Sequence, residues 1–241
     1  MIVQADARAL PFRDGAVDAV FTSPPYNTGK DYPCDDWPTW EAYYAFLLEV
    51  YRESRRVARG PVSFILPLMI QGQAVAFWPG HPWQFAAPVI RATESALWAI
   101  HAGKWEGAPF YIGTEVMVAD QQPPIHRPTC FFVPQPWIGS ALRNRPMHPA
   151  PFAQEFVIEF LRLWPAVRSL LDPFGGTGTT ALAAKRLGRV AFTADLDPRW
   201  TRVQTGELAQ GSLFDWLRKE GGDAGTEIPG PAPEGEAPAV P

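Results

Sequence analysis

Ser169-Leu170-Leu171-Asp172-Pro173-Phe174-Gly175-Gly176-Thr177-Gly178-Thr179-Thr180 is the stretch whose reading decides the fold. Ser169 to Asp172 reads as a short strand that runs straight into a turn of small residues. Thr180 to Leu187 predicts a helix built from small residues and stopped by Gly188. Arg189 to Asp195 reads as a further strand with an acid at its end, followed by Asp197-Pro198. A strand–helix–strand unit of this spacing implies a right-handed crossover between parallel strands, and hence an α/β sheet. The turn itself brings backbone N–H groups close to a ligand. No Gly-Lys-Ser/Thr follows it and it does not match G-x-G-x-x-G, so it is neither a phosphate P-loop nor the dinucleotide fingerprint. Asp195 lies 17 residues beyond Gly178, at the strand end where an acid holds ribose hydroxyls. With Asp172 before the loop and Asp195 after it, the pattern predicts a nucleoside cofactor.

Towards the start of the chain a second short β-prone run, Val17 to Thr22, ends at Ser23-Pro24-Pro25-Tyr26. Two prolines stop any ladder, which places these four residues just past the strand's carboxyl end. Open α/β sheets bind ligands there. The chemistry fits a nucleobase: Tyr26 supplies a π-face for a flat ring, and the Ser23 hydroxyl and Pro24 carbonyl supply acceptors for an exocyclic amine. Thr39 is placed to cap a helix with Glu41 in its first turn, and Tyr43, Phe46, Leu47, Val50 and Tyr51 recur at helical spacing. Arg59-Gly60-Pro61 ends that helix, and Val62 to Leu66 reads as the next strand.

Composition bounds the remaining choices. The chain has 241 residues, 46% of them apolar, which allows a sizeable core and excludes global disorder. No apolar run approaches the roughly 20 residues of a membrane span, and the first residues lack a signal-peptide pattern. A cytoplasmic protein with no membrane association is expected. Two cysteines, Cys34 and Cys130, exclude a disulfide scaffold, and the histidines lack metal spacing, so no metal is predicted. The net charge is −4, but the last 23 residues, 219–241, carry all of it, which leaves a neutral body. Within that body, 121–153 has no acid but has Arg127, Arg143 and Arg145. Local charge, not the total, decides where a phosphate backbone sits.

The organisation follows from these features. Residues 1–218 read as one domain, and 219–241 as a disordered acidic tail rich in Pro and Gly. Ala96 to Ile100 and Tyr111 to Ala119 read as strands, whereas 121–149 reads as irregular because prolines and aromatics dominate it. Phe152, Phe156, Val157, Phe160 and Leu161 form another helix stripe. The fold class expected is α/β: an open, mostly parallel Rossmann-like sheet with helices on both faces and a small irregular insertion within 71–147.

Thr22-Ser23-Pro24-Pro25-Tyr26-Asn27, followed far downstream by Asp172-Pro173-Phe174-Gly175-Gly176-Thr177-Gly178-Thr179-Thr180, resembles the DNA amino-methyltransferases that use S-adenosylmethionine. His148-Pro149-Ala150-Pro151-Phe152 resembles the family's motif ahead of the cofactor loop, and the motif order is that of the permuted β-type arrangement. The resemblance covers residues 1–205 or so. It implies that Ser23, Pro24, Pro25 and Tyr26 form the catalytic target-base pocket. It implies that Phe174, Gly175, Gly176, Thr177, Gly178 and Thr179 surround the cofactor, with Asp172 near the methionine amine and Asp195 on the ribose. Asp6 would lie near the adenine and Phe152 would close the methionine side. Ala5 stands where the family has glycine, Arg59-Gly60-Pro61 is compressed relative to its Pro-Gly-Gly, and Trp200 replaces a usual tyrosine.

The implied reaction is direct transfer of a methyl group to an exocyclic base amine in double-stranded DNA, with no covalent enzyme intermediate. Serine in the first motif position leans towards cytosine N4; adenine N6 is the alternative. A catalytically silent DNA-binding or regulatory relative and an RNA methyltransferase are the rival classes. DNA contact is expected from Arg127, Trp137, Arg143, Asn144 and Arg145, with Trp137 filling the gap of a flipped base. Pro33-Cys34 is read as a packing dipeptide, not as a nucleophile. The resemblance allows for a cognate restriction endonuclease as a separate protein, and for a monomer or a homodimer.

Overall fold

The computed structural model of the chain describes residues 1–27, 37–70, 72–92, 110–124, 131–134, 154–202 and 204. Four short strands supply its parallel centre: β1 (Ile2–Gln4), β2 (Ala19–Thr22), β9 (Ser169–Asp172) and β10 (Val190–Asp195). β3 (Val62–Pro67) joins them, and beyond it lie β6 (Phe85–Ala92), β7 (Phe110–Ala119) and β8 (Phe131–Pro134). A hairpin of β4 (Met69–Ile70) and β5 (Gln73–Ala74) stands apart from the main sheet. Among the described residues the named helices are α1 (Trp40–Val57), α2 (Gln154–Leu163) and α3 (Thr179–Arg186), and residues 198–202 are also helical.

The eight-stranded sheet has the order β1-β10-β9-β2-β3-β7-β6-β8. Neighbours from β1 to β3 are parallel, β7 runs antiparallel to both β3 and β6, and β8 returns parallel to β6. Two crossovers run in opposite directions: β2–α1–β3 towards one edge and β9–α3–β10 towards the other. With right-handed connections this puts α1 and α3 on opposite faces. The cores agree. Tyr43, Leu47 and Val50 of α1 pack with Val20, Phe64 and Leu171, while Ala183 and Ala184 of α3 pack with Phe21, Ile65 and Leu170. Successive strand residues thus alternate between two buried faces, which explains the near-continuous burial of β2 and β3. The expected open, mostly parallel sheet with helices on both faces is the observed architecture.

Local chemistry sets the boundaries. Thr39 caps α1, its hydroxyl accepting from Ala42 N at 3.2 Å. Phe156, Val157, Phe160 and Leu161 of α2 are buried, with the Phe160 ring 5.0 Å from that of Phe21. At the amino end of the sheet Asp18 Oδ2 accepts from Arg168 N and Ser169 N, both at 2.9 Å, and Oδ1 pairs with Arg59. The charges there are consumed in structure.

Two readings of the sequence are corrected. Phe85–Ala92 carried no assignment yet forms β6; its Pro88 falls where the β6–β7 register shifts, between Pro88 and Ile90, so the missing N–H does not break a regular ladder. The stretch 121–149 was expected to be irregular, yet Phe131–Pro134 pairs parallel with β6. Alternate residues of so short a strand carry little signal among prolines. The expected strand at Ala96–Ile100 and the tail 219–241 lie outside the described residues.

Thr39→Ala should lower the unfolding free energy by about 1 kcal/mol, the usual value of a side-chain N-cap. A reduced urea midpoint with an unchanged slope is the expected readout.

Candidate active site at the carboxyl end of the sheet

The opposed crossovers part between β9 and β2, and a crevice outside the carboxyl ends of the strands forms at such a switch point. Both motifs emerge there. β2 and β9 are hydrogen-bonded parallel neighbours, with Ala19 opposite Leu170 and Val20 opposite Leu171. Segments about 150 positions apart therefore leave the sheet side by side.

A buried carboxylate joins them. Asp172 is fully enclosed; its Oδ1 accepts from Thr22 Oγ1 at 2.6 Å and from Phe174 N at 3.0 Å, and its Oδ2 accepts from Thr180 Oγ1 at 2.6 Å. One side chain thus ties the end of β2, the start of the glycine turn and the first turn of α3. Burial pushes its carboxyl up to about 6, against the pull of those three donors. The side chain expected near a ligand amine thus has its bonds inside the protein.

The glycine turn is folded tightly onto β10. Gly175 N donates to Ala194 O at 2.8 Å, Gly178 N to Gly175 O at 2.7 Å, and Gly176 N to Asp195 Oδ2 at 2.9 Å. Gly176 and Gly178 have φ of 47° and 87°, the left-handed region that favours glycine. Gly175, Gly176 and Gly178 are buried, while Phe174, Thr177 and Thr179 are half-buried. Gly178 caps α3 without a side-chain bond, so no side chain of the cap takes up the free N–H groups of the first turn. Asp195 Oδ1 accepts from Asp197 N at 2.9 Å, and burial raises its carboxyl above the ordinary value. The side chain is half-buried at the end of β10.

The first motif is braced from α1. Pro24 and Pro25 are buried, and the Tyr43 hydroxyl donates to Pro25 O at 2.8 Å. Among the described residues nothing donates to the Pro24 carbonyl. Ser23 Oγ and Tyr26 Oη share a hydrogen bond of 2.9 Å. Asn27, with φ of 56°, bonds the backbone of Trp37 through both ends of its amide. The Trp37 ring lies 4.4 Å from that of Phe46, which meets Phe174 edge-on at 6.1 Å.

Asp6 lies just past β1, beside the end of β10, and its carboxylate is bound by Arg8 through N, Nε and Nη2. That guanidinium holds it below the usual carboxylate range. Phe152, Arg127, Trp137, Arg143, Asn144, Arg145 and Cys34 lie outside the described residues. Among the described residues no group of His, Cys, Asp and Glu could hold a metal ion, and no helix is long and apolar enough to cross a membrane. Sequence reasoning gave no site role to Thr22, Tyr43, Thr180 or Gln204, all buried partners of the motifs. Thr22 and Thr180 are the end residues of the quoted motifs and carried that hint; nothing local marked Gln204.

No family model and no curated protein sequence matches the chain. Its fold is shared by solved structures. PvuII DNA methyltransferase (cytosine-N4-specific) is 16% identical with a TM-score of 0.58, over 85% of this chain and 84% of that one. TTHA0409 from Thermus thermophilus, a candidate DNA modification methylase, is 24% identical with a TM-score of 0.51, over 87% and 94%. The complex of M1.HpyAVI with SAM is 16% identical with a TM-score of 0.51, over 86% and 98%. The chain therefore has the Rossmann-like fold of methyltransferases.

The raised carboxyl of Asp172 has a pH consequence. As pH rises through roughly 4 to 6 the native state holds the proton longer than the unfolded chain, so this group favours folding less as it ionises. Asp172→Asn should remove that component. The difference in melting temperature, wild type minus variant, is expected to fall between pH 4 and pH 7; a constant difference would contradict it.

Proposed function

We propose that the chain is an S-adenosylmethionine-dependent DNA methyltransferase that methylates the exocyclic N4 amine of a flipped cytosine. The observation that carries this reading is that Ser23 to Tyr26 and the glycine turn follow adjacent parallel strands at the same end of the sheet, tied by the Thr22–Asp172 bond. The residues fit the cofactor: a glycine turn with two left-handed residues, an α3 start without a side-chain cap, and the half-buried Asp195 at the next strand end. When bound, the cofactor supplies an electrophilic methyl group on a sulfonium. Asp195 would hold its ribose, the first turn of α3 and the glycine turn its polar end, Phe152 its methionine side, and Asp6 would stand near its adenine.

Tyr26 would stack on the extruded base. The Pro24 carbonyl and Ser23 Oγ would accept from the amine; in either sense of the Ser23–Tyr26 bond Ser23 Oγ keeps a lone pair. Pro25 plays a different part, since its carbonyl is committed to Tyr43. Acceptors on both sides orient the nitrogen lone pair, and rate comes from that positioning. Ser23 is a weak base, so the amine proton leaves to solvent. The acid-free stretch 121–153, with Arg127, Trp137, Arg143, Asn144 and Arg145, would meet the DNA. Serine at position 23 supports cytosine, as does the likeness to the PvuII enzyme's fold.

Incubating unmethylated plasmid DNA with labelled S-adenosylmethionine and digesting to nucleosides should yield N4-methylcytosine. N6-methyladenine would overturn the choice of base, and unlabelled DNA would overturn the enzyme. In Tyr26→Ala, kcat/KM for DNA is expected to fall about 10- to 100-fold, the range of one lost base–aromatic stack, with cofactor affinity unchanged.

A further inference from the structure

Gln204 lies in the chain beyond β10, where residues 198–202 are helical, and its side chain is completely buried. Its carboxamide makes two bonds. Nε2 donates to Gly176 O at 2.9 Å, and Oε1 accepts from the hydroxyl of Thr193 on β10. A Cβ on Gly175 would stand 2.8 Å from Nε2 of Gln204 and 2.8 Å from Cβ of Thr193; one on Gly178 would stand 3.1 Å from Cγ of Gln204. The underside of the turn is therefore moulded to this one side chain.

The bonding of Gly176 shows what the contact does. Its N–H is taken by Asp195 and its carbonyl by Gln204, so the backbone is held on both sides of the left-handed residue. The chain has no cis peptide bonds among its described residues. In a trans peptide the carbonyl of one residue and the N–H of the next point in opposite directions. With the Gly176 carbonyl turned in towards Gln204, the Thr177 N–H is turned out, away from the protein interior. Thr177 is half-buried, in keeping with that direction.

We propose that Gln204 is a positioning residue of the cofactor turn: by holding the Gly176 carbonyl inward, it presents the Thr177 N–H to an acceptor on the bound cofactor. The inference rests on the cofactor reading above. Thr193 is part of the device, because its hydroxyl orients the carboxamide so that the NH₂ end meets Gly176.

Gln204→Met keeps the length of the side chain and removes both bonds; Thr193→Val keeps the donor to Gly176 but releases its anchor. Binding of S-adenosylmethionine by calorimetry, melting temperature and steady-state kinetics are measured for the full chain and both variants. Gln204→Met should weaken cofactor binding about tenfold, one hydrogen bond's worth, and raise KM for the cofactor with it. KM for DNA should stay at the wild-type value, and Thr193→Val should move the same quantities the same way by about threefold. General loosening would instead lower the melting temperature and raise both KM values together, which would overturn the proposal. Unchanged cofactor affinity in either folded variant also overturns it, and Thr193→Val decides alone if Gln204→Met does not fold. If wild type binds no S-adenosylmethionine, the functional reading fails first and this inference with it.

Discussion

The Asp172 carboxylate is the constraint on which the site depends. An ionised carboxylate offers only acceptors, and three donors converge on this one: two threonine hydroxyls and a backbone N–H. Enclosing a charge costs several kcal/mol even after relaxation, and only a full set of bonds offsets that cost. A hydrocarbon in its place would pack without orienting anything. The carboxylate fixes three chain segments at once, because each donor belongs to a different one: β2, the glycine turn and α3. The relative placement of the two motifs is thereby set inside the protein, before any ligand enters.

That tie works because of where the sheet divides. α1 and α3 leave β2 and β9 towards opposite edges, so nothing in the two crossovers covers the gap between those strands. The amino end of the sheet is closed by Asp18, which bonds the start of β9 directly. The carboxyl end carries the two motif loops, several of whose backbone groups are bound within the protein, among them Gly175 N, Gly176 N, Gly178 N and the Pro25 carbonyl. Polar groups at the amino end are taken up by Asp18 and Arg59, whereas at the carboxyl end, among the described residues, nothing donates to the Pro24 carbonyl and the cap of α3 makes no side-chain bond.

What was legible in the sequence was local. Ser169–Asp172 is strand to the residue, Thr39 is the cap of α1, and of the helix stripe Tyr43, Phe46, Leu47 and Val50 are buried and Tyr51 is half-buried. The antiparallel part was not. Pro88 hides β6 because a register shift, invisible from one strand alone, is what tolerates it. Asp172 shows the same limit from the other side. Its place at a strand end next to a glycine turn pointed to a ligand, but the direction of its side chain depended on Thr22, 150 residues away in sequence. Gln204 carries no local mark at all, since its meaning lies in the backbone carbonyl it meets.

The aromatic residues at the start of α1 extend the same logic to the outer rim of the crevice. Tyr43 holds Pro25 through its hydroxyl, and Phe46, three residues on, meets Phe174. Positions three apart lie on one helix face, so a single rigid turn touches both motifs. Trp37 packs on Phe46 and Tyr43 and is itself bonded through its backbone to Asn27, next to Tyr26. A shift of either motif would therefore have to unpack this aromatic layer and stretch the Thr22–Asp172 bond together. Two braces at different depths resist rotation as well as separation, which one bond alone cannot do. The in-line transfer proposed for this site would depend on that resistance, because the rate of such a step falls steeply with misalignment.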